Sequence, residues 1–194
     1  MKLIIVRHGE TEDNVAGITQ GHRPGKLTSL GLEQSKKLAE RLKNKEIDVI
    51  FSSDLERAKQ TTREITKFHP KVPVHYTKDI RERKLGVLEG RPQKIWLDPK
   101  KHNFHLHRPE GGESMVDVRK RAATFLEKLI KNYKNKTVLI ISHGGFSRML
   151  LGVLMKKSAR DSLGIEQANA CVNIVEVSEG HEHKVNLLNC IKHL

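Results

Sequence analysis

Four consecutive apolar residues, Leu3 to Val6, open the chain and run straight into the polar turn Arg7-His8-Gly9-Glu10-Thr11. A run that short, mostly β-branched and ended by a glycine-containing turn, predicts a buried strand. Thr137 to Ile141 is the most strand-like stretch of all, and it ends in Ser142-His143-Gly144-Gly145. Further strands are predicted at Ile47 to Phe51, Val72 to Tyr76, Cys171 to Val177 and Lys184 to Leu188, the last two around a turn at Glu179-Gly180.

Helical spacing fills the intervals. Leu32, Ser35, Leu38, Ala39 and Leu42 repeat behind Thr28, a residue suited to cap a helix. Ala58, Thr61, Thr62, Ile65 and Phe68 do the same behind Ser53-Asp54-Leu55-Glu56, which has the form of a capping box. A second such sequence, Ser114-Met115-Val116-Asp117, precedes Val118, Ala122, Phe125, Leu126, Leu129 and Ile130, and a helix through Leu150, Leu151 and Leu154 follows His143. Strands alternating with helices predict an α/β fold, a three-layer α/β/α sandwich whose mostly parallel sheet gains one antiparallel strand from the closing hairpin.

Two stretches escape both periods. Residues 8 to 27 form a polar loop, long for a compact domain and therefore expected to be functional. Arg91 to Gly112 carries three prolines, a Lys-Lys pair and His102, His105 and His107, and reads as a lid-like excursion. A length of 194 residues suits one domain. The expected organisation is thus a single domain over 1–194 with a lid-like insertion at 91–112.

Composition narrows the class. No apolar run approaches the ~18 residues of a membrane span, so a soluble protein without a membrane partner is expected. The first residues enter a strand directly, so no signal peptide is expected. Cys171 and Cys190 lack paired spacing and read as buried free thiols, in keeping with a reducing cytoplasm. A net charge of +13 implies attraction to anions without choosing among them. The lysines are spread through helices and only 4% of residues are aromatic, so a nucleic-acid partner is disfavoured. Monomer and homodimer both stay open.

Three strand ends deliver Arg7-His8, Arg57 and His143 to what should be one edge of the sheet, where open parallel sheets bind their ligands. Guanidinium forks suit phosphoryl oxygens, and a neutral histidine among them can attack phosphorus to form a covalent intermediate. The His102-x-x-His105-x-His107 cluster has no accompanying Cys or paired carboxylate and does not read as a metal site.

Beyond this chemistry, Arg7-His8-Gly9-Glu10-Thr11, Asn14, Gln20-Gly21, Leu27-Thr28-x-x-Gly31, Ser52-Ser53-Asp54-Leu55-x-Arg57-Ala58-x-x-Thr61, Glu82-x-x-x-Gly86-x-x-Glu89-Gly90, Gly112-Glu113-Ser114 and Ser142-His143-Gly144-Gly145 resemble, in order, the histidine phosphatase superfamily with its phosphoglycerate-mutase-like fold. The resemblance implies that His8 becomes phosphohistidine and that Arg7, Arg57 and His143 clamp the phosphoryl oxygens. It further implies that Glu82 protonates the leaving oxygen and then activates water. Asn14, Gln20, Gly21 and Gly144, with Arg83 beside the acid, would bind the phosphate and substrate, with no metal or other cofactor.

The substrate implied is a small phosphomonoester. Leu85, Gln93, Gly145, Gln20 and the short insertion depart from the mutases of the family and point to a phosphatase. Ile18 stands where many members carry arginine. Two other readings stay open: a phosphoglycerate mutase using the same phosphohistidine, and a basic binding protein that kept the fold but not catalysis.

Overall fold

The computed structural model describes residues 1–96, 103–178 and 182–194. Its centre is β1 (Lys2–Arg7), whose side chains from Leu3 to Val6 are all fully buried. Alternation divides them between two cores: Leu3 and Ile5 face one side of the sheet, Ile4 and Val6 the other. A strand covered on both faces cannot afford polar residues, which is why its sequence is a continuous apolar run.

From β1 the chain runs through α1 (Glu12–Val15), α2 (Ser29–Leu42), β2 (Val49–Ser53), α3 (Glu56–Thr66), β3 (Val74–Thr77), α4 (Met115–Asn132), β4 (Thr137–Ser142), α5 (Gly144–Leu154), α6 (Ala159–Ser162), β5 (Val172–Glu176) and β6 (Lys184–Cys190). The six strands form one sheet in the order β3-β2-β4-β1-β5-β6. β5 alone runs antiparallel to the rest, giving the expected mostly parallel sheet with one reversed strand. Leu38, Ala39, Leu42, Ala58 and Ile65 of α2 and α3 pack on one face, and α4, α5 and α6 cover the other through residues such as Phe125, Leu129, Phe146 and Leu150.

Several local expectations are corrected. The stretch 8–27 is not structureless: Thr11 caps α1, its hydroxyl accepting from Asn14 N while the Asn14 side chain accepts from Thr11 N. Conversely, no capping box forms at Ser53 to Glu56. Leu55 is the N-cap of α3 without a side-chain cap, because the Ser53 hydroxyl is engaged by His143 and by Leu55 N. Leu32 and Phe68 keep helical phase in sequence yet are exposed, at the rims where α2 and the end of α3 leave the sheet. The Ser114–Asp117 capping box is formed, and Cys171 and Cys190 are buried free thiols. The Glu179-Gly180 turn, and Lys100, Lys101 and His102 of the insertion, lie outside the described residues. No helix among the described residues is long and apolar enough to cross a membrane.

The insertion is tied back to the loop after α1. Thr19 N donates to Arg91 O, Gly90 N to Thr19 O and Gln93 N to Gly17 O. Trp96 Nε1 donates to Thr19 Oγ1 at 2.7 Å, and its ring stacks on Phe104 at 6.2 Å.

The turn after β1 is fixed by contact with the first turn of α2. A Cβ on Gly31 would sit 1.9 Å from the main-chain oxygen of Glu10, an atom that cannot move without moving the turn. Gly31→Ala is therefore expected to destabilise the fold by about 2 kcal/mol, the cost typical of overpacking. Urea unfolding checks this, and a midpoint equal to that of the parent contradicts it.

Candidate active site

The parallel register pairs Arg7 with Ser142, so the next residue on each strand, His8 and His143, emerges beside the other. His8 N donates to Ser142 O at 3.1 Å, and the two imidazoles meet edge to face with centroids 5.1 Å apart. Both rings are buried. Arg57 arrives from the first turn of α3, its guanidinium only 1% exposed. The strand-end constellation expected from sequence is assembled.

Hydrogen bonds assign the tautomers. His8 Nδ1 lies 2.7 Å from Gly9 O, a carbonyl that can only accept, so the proton sits on Nδ1 and the lone pair on Nε2. Nε2 has no hydrogen bond among the described residues. In His143 the order is reversed: Arg57 Nε donates to Nδ1 at 3.2 Å, leaving Nε2–H for Ser53 Oγ at 2.8 Å. Burial pushes both histidines well below their ordinary pKa, and the cationic Arg57 and Arg7 push further. His8 is thus held neutral, the form a nucleophile requires.

Two of the four N–H groups on the Arg57 Nη atoms are donated to carbonyls, to Gly21 O at 2.8 Å and to Arg23 O at 3.1 Å. Burial brings its pKa down to about 10, with Glu82 opposing and Arg7 adding to the shift, so it stays charged near neutrality. Arg7 donates to Gln167 O at 2.7 Å, while its Nε is buried without a partner. An unpaired, buried cationic donor beside a neutral histidine is a place prepared for an anion.

Glu82 faces them from the irregular segment after the 3₁₀ turn Lys78–Ile80. Its Oε1 accepts from Arg83 N at 2.8 Å and its Oε2 from Gly145 N, in the first turn of α5, at 2.9 Å. The approach needs glycine: a Cβ at position 145 would lie 2.2 Å from Glu82 Oε1.

Arg7, His8, Arg57 and Glu82 share a cavity of about 480 Å³, the size of a small-molecule site. Asn14, Gln20, Gly21, Arg83 and Gly144 line it too. His143 does not. Its nitrogens are spent on Ser53 and Arg57, so it reaches the cavity through Arg57 and His8 and not by a direct clamp in this structure. Gly21 contributes a carbonyl to Arg57, and Gln20 donates to Thr11 Oγ1. Arg83 is pinned by bonds to Glu113 O and His107 O and lies against Trp96 and Phe104, which places it at the lid end of the wall.

Arg148 and Asn169 also line the cavity and were not singled out from sequence. Arg148 sits one helical turn after Gly144, a spacing that places both on one face of α5. Asn169 donates to His8 O and Asn14 Oδ1, joining the His8 backbone to α1 across the chain, and no local pattern announces it. Four arginines thus surround one carboxylate.

The family model for the histidine phosphatase superfamily, branch 1, matches residues 3–190. The chain belongs to the histidine phosphatase superfamily. Within the superfamily it is 34% identical over 189 residues to a metal-independent phosphoserine phosphatase of Arabidopsis thaliana, covering 92% of this chain and 77% of that protein. It is 35% identical over 208 residues to a broad-specificity phosphatase of Saccharomyces cerevisiae, covering 100% and 87%. Among solved structures, a phosphoserine phosphatase mutant of Entamoeba histolytica in complex with phosphoserine superposes with a TM-score of 0.88 at 27% identity, over 100% of this chain and 98% of that one.

In this superfamily member the buried neutral histidines set an acid limit on stability. Above pH ~6.5 they are neutral folded and unfolded and contribute no slope. Below it the unfolded chain takes up protons that the folded site refuses, so stability falls as pH falls, by up to about 1.4 kcal/mol per histidine per pH unit. Urea unfolding at pH 6.5 and 5.5 should show a smaller loss for His8→Asn than for the parent. Equal losses would mean that His8 is not held neutral.

Proposed function

We propose that the protein is a metal-independent phosphomonoesterase that transfers the phosphoryl group of a small metabolite to His8 and then to water. The observation that carries this reading is the His8 ring itself, neutral, with Nδ1 tied to Gly9 O and Nε2 unengaged on a cavity lined by Arg7 and Arg57. Nε2 attacks phosphorus and the bond to the ester oxygen breaks, while Glu82 gives its proton to that oxygen. The Nδ1–H bond to Gly9 O stabilises the charge the ring acquires. In the second step Glu82 takes a proton from water, the water oxygen bonds to phosphorus, the P–N bond breaks and phosphate leaves. Arg7 and Arg57 balance the phosphoryl charge in both steps, with His143 orienting Arg57.

Arg83 and Arg148 stand on the same wall beyond this clamp and favour a substrate with a second anionic group, such as a carboxylate. The relatives agree in kind. Entamoeba histolytica phosphoserine phosphatase has been solved with phosphoserine and with 3-phosphoglyceric acid, each at 27% identity to this chain. The reading takes residues 1–194 as one catalytic domain in which the 91–112 insertion walls the cavity, and places it in the cytoplasm, where the free Cys171 and Cys190 thiols stay reduced.

His8→Ala is expected to lower phosphate release from phosphoserine by at least about three orders of magnitude while leaving the chain folded. Release is measured in metal-free buffer, with 3-phosphoglycerate interconversion followed in the same samples. Undiminished hydrolysis by His8→Ala removes the nucleophile assignment; interconversion dependent on a bisphosphate primer makes the protein a mutase.

A further inference from the structure

Glu82 lies on residues 81 to 85, which belong to no helix or strand, so no ladder of main-chain hydrogen bonds sets its position. Side chains do so instead: His22 Nε2 meets Glu82 O at 2.8 Å, the Asp54 carboxylate accepts two bonds from the Arg81 guanidinium, and one arginine spans the segment from α4. Arg121, on the buried-side flank of α4, donates through NH1 to Asp79 O at 3.0 Å and Arg81 O at 2.8 Å, and through NH2 to Glu82 O at 3.4 Å. Its Nε and NH2 also meet the two oxygens of Glu113 at 3.1 and 2.9 Å. The five N–H groups of the guanidinium thus find five acceptors. The remaining carbonyl of the segment, Ile80 O, accepts from Ser142 Oγ at 2.7 Å, so each carbonyl from 79 to 82 is held by a side chain.

Glu113 completes the frame from the other side. Its Oε2 accepts from Lys84 N at 2.8 Å, its own N donates to Lys84 O at 2.8 Å, and its carbonyl accepts from Arg83 Nε at 2.7 Å. The Arg121 guanidinium also lies over the Phe146 ring, 5.4 Å from its centroid, which ties the frame to α5, the helix that supplies the Gly145 N–H to Glu82. Neither Arg121 nor Glu113 lines the cavity.

We infer that Arg121, paired with Glu113, is the positioning residue for Glu82, fixing the carboxyl where it can reach the leaving oxygen. The inference rests on Glu82 being the general acid of the proposed function. A lysine cannot replace the fork, because one ammonium does not reach acceptors spread over three carbonyls and a carboxylate. Loss of the fork leaves the nucleophile and its arginines untouched, so the expected damage is confined to proton transfer.

The test compares the parent, Arg121→Lys and Glu113→Gln on two phosphomonoesters, phosphoserine with a poor leaving group and p-nitrophenyl phosphate with a good one. Both variants should lose about 10- to 100-fold in kcat/KM, which reports transfer to His8, on phosphoserine and less than about threefold in kcat/KM on p-nitrophenyl phosphate, while kcat falls for both esters where the shared hydrolysis of phosphohistidine, which also uses Glu82, limits turnover. In the same proteins without substrate, amide exchange at Arg83 and Gly145, whose N–H groups bind the Glu82 carboxylate, should accelerate while the β1 amides stay protected. Equal losses in kcat/KM on both esters, or unaltered phosphoserine turnover with unaltered amide exchange, overturn the positioning role. The exchange readout decides the matter even where neither ester is turned over, an outcome that would instead strike at the phosphatase reading.

Discussion

The fold turns on a guanidinium buried without a carboxylate bound to it. Arg57 is 1% exposed, yet the partners of its donors are two carbonyls and an imidazole nitrogen, which take three of its five N–H groups. Burying a charge costs several kcal/mol unless it is compensated, and carbonyl dipoles compensate only in part. Arg7 repeats the situation with one carbonyl and an orphaned Nε. In the proposed function an incoming phosphoryl dianion would supply the missing charge, so the deficit that costs stability in the free protein would become affinity in the complex. The loop around Gly21 and Arg23 exists in its observed form because Arg57 needs its carbonyls.

The neutrality of His8 follows from the same source. Burial disfavours protonation of the ring, and the Arg57 and Arg7 cations held against it add to this. The parallel register of β1 and β4 brings His143 alongside, and the Ser53 hydroxyl at the end of β2 fixes its tautomer so that Nδ1 can accept from Arg57. Three neighbouring strand ends are therefore joined through side chains before any substrate is present. A site built this way is preorganised, which is where most electrostatic stabilisation of a transferring group originates.

Much of this was legible because the relevant residues sit where periodicity breaks. His8, Arg57 and His143 each follow an apolar run that can only be a buried strand, and the sheet does the rest. What sequence misplaced is local competition for one side chain. Ser53 has the right spacing to cap α3, but a hydroxyl has few bonds to give, and here it meets the buried His143 imidazole and Leu55 N instead. The short α1 was missed because four residues carry no detectable period, although Thr11 and Asn14 stood at capping-box spacing. Asn169 reaches His8, and Arg121 and Glu113 reach residues 79–84, only across long separations in the chain, and nothing local distinguishes a carboxylate that holds a loop from one that meets solvent.

In the proposed mechanism the seating of Glu82 would let one carboxyl serve as acid and then as base without rearrangement. Each of its oxygens accepts one main-chain N–H, from Arg83 and from Gly145. A protonated carboxyl keeps acceptor capacity on both oxygens, so both bonds survive when the proton is present. The proton is then confined to the directions those bonds leave free, on the side where the cavity lies. Giving the proton to the leaving oxygen and taking another from water therefore changes the charge of the group without moving it. A side chain at position 145 would occupy the place of the Oε1 oxygen and force the carboxyl off these two donors. Gly145 thus matters to the carboxyl on the facing loop, whose observed seat a side chain there would displace.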